Sequence, residues 1–383
     1  MSELSVARQP VYDKDLGVYA YELLFQGSAD SADLVGTFGS MGLQDLVGNR
    51  PAVVRVSESF LYDAPSLQLP ADRLILEVDE APEGPLAALK QLGYTIASAN
   101  PELALADIAK LNVAELGQHG LWQQIELVRG KRLLATNVQT HEELEFCKGL
   151  GFDYYEGGFL CQPRTVLKRT VPTNRMAKLG ILAELNNPEA DFDGLERLIS
   201  RDVGLSYRFL RYINSAFFSL PHKVGSIRQA LVLLGISAVK KWATLLSLAD
   251  LDDKPHELIV TALVRAKMCE LTAGSRPPRE REEYFTVGMF SVVDALLDSP
   301  MDVVLASLPL ADEIKEALQH QLGQKGLVLK AVVNYENARF EDLRAIAPPG
   351  TSAQEIYAAS IAWAREAGLE LEAGDAVGVA ATP

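Results

Sequence analysis

The sequence predicts an α/β domain followed by an all-helical domain, and three observations support this division. Short β-type runs alternate with helical patterns over the first 165 or so residues. From about Arg164 onward, apolar residues recur only at helical spacing. The length of 383 residues suits two or three domains at about 150 residues each. We therefore expect a parallel α/β barrel and then a helical bundle.

The predicted strands are short and mostly apolar throughout, which is typical of parallel strands buried on both faces. Helical segments between them, such as 85–92 and 141–150, end at Gly93 and Gly151. A complete barrel has eight strands and usually about 250 residues, so this span predicts a shortened or incomplete barrel. The expected strands are Tyr19–Phe25, Ala52–Ser57, Arg73–Val78, Tyr94–Ala97, Ile108–Asn112, Arg132–Thr136 and Tyr154–Gly157.

Capping residues divide the second half into helices. Ser226 is expected to begin a helix that stops at Gly235, and Ser237 to begin the next. Ser352 and Glu355 form a capping box ahead of a late helix. The predicted bounds are 1–165 for the barrel, 166–180 for a linker, 181–367 for the helical domain and 368–383 for a flexible tail.

Composition and charge limit the function classes. With 36 basic and 51 acidic residues the net charge is −15, which argues against binding nucleic acid through a basic surface. No run approaches 18 apolar residues, and Met1 to Gln9 lacks the apolar core of a signal peptide, so we expect no membrane association. Cys147, Cys161 and Cys269 form no CxxC pair, which favours a cytoplasmic location.

A basic segment lies at the predicted domain boundary. No acidic residue occurs between Glu156 and Glu184. The favoured interpretation is a solvated linker, and the alternative is a docking strip for an acidic partner. The basic residues are Arg164, Lys168, Arg169, Arg175 and Lys178.

Few residues are arranged for catalysis. Glu22, Glu77 and Glu80 lie near predicted strand ends, where a barrel places its functional groups, and Lys110 adds a cation. The five histidines are scattered, with no HD doublet and no HxxxH spacing. There is also no GxSxG, P-loop or GxGxxG motif. From the residues alone, we expect no complete active site.

Ordered motifs nevertheless run through the chain. In the first half they are residues 7–13, 20–25 and 155–159 with Pro163, and in the second half residues 199–205, 210–216, 230–235 and 288–291. From about Ala7 to Asp342 the chain resembles proteins in which an EAL domain is joined to an HDOD domain, an HD-related output domain. The resemblance implies a TIM-like EAL barrel followed by an all-helical HDOD domain.

The resemblance also implies an activity. Active EAL domains are phosphodiesterases for cyclic di-GMP that use two divalent cations held by carboxylates and an asparagine. Glu22 matches the glutamate that names the family, Glu77 a metal ligand and Lys110 the family lysine.

Other positions depart from the family pattern. Arg55 stands where a metal-binding asparagine belongs, and a fixed cation there repels metal ions. Both glutamates expected within 135–139 are absent, and Gln26 replaces an arginine expected to contact substrate. Ala99 and Asn100 replace paired aspartates, Asn112 replaces another aspartate, and Glu156 replaces a glutamine. We therefore expect a degenerate pocket with no catalysis, metal or cofactor, made of Glu22, Arg55, Glu77, Asn100, Lys110, Asn112 and Glu156.

The resemblance leaves three functional hypotheses. The first is a non-catalytic regulatory protein of bacterial signal transduction that binds other signalling proteins through the HDOD domain, where Ser291 and Val292 occupy the place of an HD pair. The alternative is a cyclic di-GMP receptor that binds without hydrolysis. The third is a residual cyclic di-GMP phosphodiesterase.

Overall fold

Two compact units make up the chain. The computed structural model describes residues 5–26, 30–40, 42–67, 69–164, 173–251 and 253–375. The barrel unit comprises Met1–Gln162 together with Ala331–Ala358. The helical unit comprises Pro163–Lys330 and Ala359–Pro383.

Eight strands close into a barrel in sequence order. The first strand runs antiparallel to both of its neighbours, and the other neighbouring pairs are parallel. The strands are β1 Val6–Tyr12, β2 Val18–Phe25, β3 Ala52–Arg55, β4 Leu74–Glu77, β5 Thr95–Ser98, β6 Ile108–Asn112, β7 Arg132–Thr136 and β8 Tyr154–Glu156.

The expectation of an incomplete barrel is therefore wrong, because the sequence pattern missed β1. That strand contains Arg8, Gln9 and Pro10 among its apolar residues, so it lacks the continuous apolar run of the parallel strands. Proline also disfavours a strand inside a sheet. The seven other predicted strands are confirmed to within two residues at each end.

Among the described residues, six helices of the barrel unit lie between β2 and β8 along the chain. They are α1 Ser31–Ser40, α2 Leu43–Val47, α3 Glu58–Leu67, α4 Glu83–Gln91, α5 Val113–Leu127 and α6 His141–Gly149. Gly93 and Gly151 follow α4 and α6 with φ of 92° and 84°, as their predicted stop positions require.

An apolar layer fills the barrel interior. Its buried residues are Val11, Ala20, Val53, Ile75, Ala97, Ile108 and Leu134. Side chains alternate between the two faces of a strand, so the residue two positions further along a parallel strand also faces inward, nearer the carboxyl end. This rule selects the residues of the barrel mouth, defined here as the interior level at the carboxyl ends of the parallel strands.

The helical unit contains two long helices, α10 Ile227–Ala249 and α11 His256–Thr272. Gly235 interrupts α10 with φ 82° and ψ 164°, which confirms the predicted stop, and the Ser226 hydroxyl accepts from the Gln229 amide at 3.1 Å. The remaining helices of the chain are α7 Thr173–Leu185, α8 Phe192–Arg201, α9 Val203–Ile213, α10 Ile227–Ala249, α11 His256–Thr272, α12 Pro278–Phe290, α13 Val293–Leu297, α14 Met301–Ala306, α15 Asp312–His320, α16 Gly323–Glu336, α17 Glu341–Ile346 and α18 Ala353–Asp375.

The structure differs from the predicted domain bounds near the C-terminus. Residues 331–358, assigned from the sequence to the helical domain, belong to the barrel unit. The Val6 amide donates to Gln354 Oε1 at 2.8 Å, and the Arg8 amide donates to the Tyr357 hydroxyl at 2.9 Å. The predicted tail is helical as far as Asp375, and 376–383 lie outside the described residues, as do 165–172 of the predicted linker region.

The capping box before α18 is confirmed. The Ser352 amide donates to Glu355 Oε2 at 2.8 Å, and the Glu355 amide donates to the Ser352 hydroxyl at 3.1 Å.

Within the described ranges, α10 is the one helix long and apolar enough to cross a membrane, by length and composition only. Its mean hydropathy reaches 1.5, but half of that window is buried inside the protein. Buried residues such as Trp242, Leu245 and Leu246 give it the character of a core helix. Helices of this kind are weak support for a membrane span, and the cytoplasmic location stays an expectation.

The basic segment finds its acidic partners within the chain. Arg175 pairs with Asp253, and Lys178 pairs with Asp250. The Arg164 amide donates to Asp298 Oδ1 at 2.9 Å. Lys168 and Arg169 lie outside the described residues. Arg175 and Lys178 thus form ion pairs within the chain, whereas the sequence predicted a solvated linker or, as the alternative, a docking strip.

Close packing of α11 against α12 gives a test of the helical unit. A Cβ at Gly288 would lie 2.4 Å from Arg265 O and 2.5 Å from Ala266 Cα, both backbone atoms. We expect Gly288→Ala to lower the free energy of unfolding in urea by about 1–3 kcal/mol, or more, because the helices must separate. The matched control is Gly180→Ala in α7, where a Cβ meets nothing within 4 Å. The control is expected to stabilise by about 0.5–1 kcal/mol, and equal effects of both changes would contradict the packing explanation.

Candidate functional site at the barrel mouth

The barrel mouth holds a cavity of about 440 Å³, a volume typical of small-molecule sites. The barrel positions its side chains by strand parity. Glu22, Glu77 and Lys110 each lie two residues after a member of the apolar layer. The cavity is lined by Gln9, Glu22, Arg55, Glu77, Ala99, Lys110, Asn112, Glu115, Thr136, Asn137, Gln139, Glu156, Gly157, Gly158 and Asn337.

A buried ammonium group lies at the centre of this site. Lys110 Nζ is 2.7 Å from Glu22 Oε2 and 2.5 Å from Glu77 Oε2. The side chains of Lys110, Glu22 and Glu77 are 7%, 11% and 7% exposed. Burial alone would lower the pKa of Lys110, but the charges of Glu22, Glu156 and Glu77 outweigh burial and raise it. Lys110 therefore remains charged and bridges two carboxylates.

A third carboxyl group lies beside this ion pair. Burial raises the pKa of Glu156 well above its ordinary value, and the negative charge of Glu22 raises it further, against the opposing charge of Lys110. Burial also raises the pKa of Glu77, opposed by Lys110. One ammonium cannot neutralise three carboxylates, and burial disfavours the charged form of Glu156.

Arg55 stands at the rim of the mouth. It ends β3 beside Glu77 of β4, and its guanidinium pairs with the Asp79 carboxylate. The Arg55 side chain is 58% exposed. Asp79 was not anticipated from the sequence, because it lies beyond the end of β4 and its role depends on Arg55.

Two predicted candidates do not line the cavity. Asn100 is absent from the lining, and its side-chain Nδ2 donates to Asp79 O at 3.1 Å. Ala99 is therefore the inward-facing residue of the pair. Glu80 is exposed and lies outside the lining.

The remaining polar positions at the mouth have structural partners. Asn112 lines the cavity and caps α5, with its Oδ1 accepting from the Glu115 amide at 3.3 Å. Gln26 Oε1 accepts from Arg344 Nη1 at 3.3 Å. Gln9, Thr136 and Asn337 were missed by sequence reasoning. For Thr136 the signal was available, since it lies two residues after Leu134 of the apolar layer, but Asn337 carries no local signal.

The two carboxylates that match the family pattern have a charged partner within the chain. Lys110 Nζ lies between the Glu22 and Glu77 carboxylates, and Arg55 places a positive charge where the resemblance implies a metal-binding asparagine. Among the described residues, no group of three or more His, Cys, Asp or Glu side chains is arranged to hold a metal ion. The arrangement fits an internal ion-pair network.

The HDOD-like motif of the second half contributes to packing. The Ser291 hydroxyl donates to Gly288 O at 2.7 Å, and Val292 is fully buried. Burial raises the pKa of Asp294 to about 6. Phe217 and Phe218 lie 5.3 Å and 5.4 Å from the Trp242 ring, so they pack in an aromatic cluster.

Comparisons with known proteins identify the class. Residues 171–297 match the HDOD domain family model. The chain is 30% identical over 351 residues to Uncharacterized protein YuxH of Bacillus subtilis (strain 168), covering 82% of this chain and 86% of that protein. It is also 30% identical over 372 residues to Cyclic di-GMP phosphodiesterase CdgJ of Vibrio cholerae serotype O1 (strain ATCC 39315 / El Tor Inaba N16961), covering 88% of this chain and 85% of that protein.

These relatives and the HDOD match establish the family. The chain belongs to the EAL–HDOD family, as the resemblance predicted. A standalone EAL protein from Vibrio cholerae O395, in its c-di-GMP bound form, aligns with 40% of this chain and 90% of that chain. Its identity is 16% and its TM-score 0.30, so the barrel assignment rests on the eight strands themselves.

The expectation that the chain is not an enzyme, which was based on its substitutions, is wrong. A relative of 30% identity across most of the chain is named a cyclic di-GMP phosphodiesterase, so the family is an enzymatic one. Substitutions such as Arg55 and Ala99 do not by themselves show that catalysis is lost.

Removing the central ammonium tests the ion-pair network. We expect Lys110→Met to lower the free energy of unfolding by about 3–5 kcal/mol at pH 7, because two buried carboxylates lose the ammonium that pairs with them. The deficit should shrink at pH 5, where protonation of the carboxyls removes the repulsion. Urea denaturation at both pH values measures this difference in the free energy of unfolding. Adding Glu22→Gln and Glu77→Gln to the Lys110→Met variant should restore much of the lost stability. A deficit that does not depend on pH would contradict this account.

Glu156 gives a second test, through pH. Its pKa is raised in the folded state, so its stabilising effect is full below the unfolded value near 4.5 and is lost as pH rises through the folded pKa. We expect Glu156→Gln, which mimics the protonated carboxyl, to stabilise the protein above neutral pH and to change little at pH 4. Melting temperatures of both proteins across this range measure the difference. Parallel stability curves would contradict the raised pKa of Glu156 in the folded state.

Proposed function

We propose that this EAL–HDOD protein acts in cyclic di-GMP signalling, with the barrel mouth as the nucleotide site and the helical unit as a module that binds other signalling proteins. The observation that carries the proposal is the meeting of Glu22, Glu77 and Lys110 inside a 440 Å³ cavity. These are the residues that match the EAL pattern. The name of CdgJ supports the choice of nucleotide.

Arg55 is the group best suited to the phosphates of such a ligand. The Lys110 charge is already balanced by buried carboxylates, whereas the Arg55 guanidinium is largely exposed at the rim. A planar guanidinium binds phosphate through two parallel hydrogen bonds. Asp79 holds Arg55 in the absence of ligand, so a phosphate would exchange with the Asp79 carboxylate.

Hydrolysis of cyclic di-GMP is the second candidate, and the name of CdgJ favours it. Binding without hydrolysis and hydrolysis would both use the same cavity. The same protein samples can therefore be assayed for each. Binding is read by calorimetry, and hydrolysis by chromatography of the linear dinucleotide.

The roles proposed for Arg55 and Asp79 predict opposite effects on affinity. We expect the full chain to bind cyclic di-GMP saturably, and Arg55→Ala to weaken binding by about tenfold or more through loss of a charged hydrogen bond. Asp79→Asn should strengthen binding, because it releases the guanidinium from its carboxylate partner. Isothermal titration of the three proteins, with and without Mn²⁺, measures these affinities.

The same titrations can overturn the proposal. Absence of binding by the unmodified chain under both conditions would refute the nucleotide site. Formation of the linear dinucleotide in the Mn²⁺ samples, with loss in Glu22→Gln, would establish hydrolysis as the activity.

A further inference from the structure

A turn remote in sequence borders the barrel mouth. Asn337 and Ala338 lie between α16 and α17, in the segment 331–358 of the barrel unit. Asn337 lines the 440 Å³ cavity together with Gln9. Ala338 lines a second cavity of about 320 Å³, which shares Glu22, Arg55 and Glu77 with the first. The turn therefore forms part of the wall around the candidate nucleotide site.

Internal contacts hold this turn in place. The Ala338 amide donates to Tyr335 O at 3.0 Å, and the Arg339 amide donates to Asn334 O at 2.9 Å. Ala338 adopts φ 59°, the left-handed conformation that commonly ends a helix. Tyr335 is fully buried, and its hydroxyl lies 3.3 Å from Val6 O and 2.8 Å from Gln354 Oε1. The turn is thus anchored to β1 and α18 and can present a side chain in a fixed position.

Asn337 forms an amide pair with Gln9 across the mouth. Gln9 Nε2 donates to Asn337 Oδ1 at 3.3 Å, and Asn337 Nδ2 donates to Val333 O at 2.7 Å. Each amide carries two N–H donors and one acceptor oxygen. Contacts among the described residues use one donor of each amide and the Asn337 oxygen. Gln9 Oε1 and one N–H of each amide thus remain for a ligand.

Amide groups suit nucleobases because a base edge presents donors and acceptors side by side. Guanine offers an O6 acceptor where adenine offers an N6 donor. A site that pairs with one of these edges leaves polar groups unpaired with the other, which lowers the affinity for that base. Uncharged amides discriminate bases without changing the attraction for the phosphates.

We propose that Asn337, together with Gln9, determines which base is accepted at the barrel mouth. This inference rests on the proposed function, because it needs a cyclic dinucleotide in the cavity. Asn337 comes from outside the eight strands and from beyond the HDOD match at 171–297. Specificity at the EAL-type pocket is thereby assigned to the C-terminal segment of the chain.

The test compares two ligands on the full chain. Affinities for cyclic di-GMP and cyclic di-AMP are measured by isothermal titration for the unmodified chain, Asn337→Ala, Asn337→Ser and the control Arg339→Ala. We expect the ratio of the two affinities to fall by about tenfold in both Asn337 variants, since a hydrogen bond that reads the base is lost. Arg339 is exposed in the same turn and does not line the cavity, so its removal should leave the ratio unchanged.

Three outcomes are informative. Unchanged ratios in the Asn337 variants, with binding intact, would overturn this inference and leave the proposed function standing. Binding of neither ligand by the unmodified chain would refute both. A lowered ratio with unchanged melting temperatures supports the assignment, because a purely structural turn would change stability and not base preference.

Discussion

The placement of one lysine between two carboxylates governs the chemistry of the barrel mouth. Lys110 is almost fully buried, and a buried charge is tolerated only when it is paired and hydrogen-bonded. Its pairing with Glu22 and Glu77 satisfies that condition, and burial raises the pKa of the third carboxyl, Glu156, above its ordinary value. The charge of Lys110 is thus more than offset by the two carboxylates that it contacts. Any strong electrostatic contact with an anionic ligand falls to the rim, where Arg55 is exposed.

Strand parity explains which parts of the site the sequence could predict. Runs such as Leu74–Glu77 are apolar up to a polar residue at the carboxyl end, and this pattern gave both the strands and the inward carboxylates. Beyond the end of β5 at Ser98, Ala99 lines the cavity and Asn100 does not. A substitution identified by matching a family motif does not show whether the side chain faces the cavity. Asn100 was therefore included in the pocket although its amide contacts Asp79 O.

The parts that the sequence could not predict depend on contacts between distant residues. The Val6 amide and Gln354 Oε1 are 348 positions apart, and no local pattern of composition or periodicity indicates that they meet. The antiparallel strand β1 is also the strand that residues 331–358 contact. Gln26 shows the consequence for the site. The arginine expected at that position is absent, yet Arg344 from the distant segment hydrogen-bonds to the Gln26 side chain.

Whether the barrel mouth can bind a metal ion depends on the charges at the site more than on the number of substitutions. Glu22 and Glu77 remain, so the carboxylates themselves are not missing. What occupies them is an ammonium whose pKa is raised, so loss of its proton is no route to releasing them. A free cation must displace a group that the chain itself tethers at the site, and tethering gives that group a high effective concentration. Metal-dependent chemistry in this barrel therefore depends on how well a dissolved cation competes with Lys110 for the two carboxylates. The number of altered positions does not decide it.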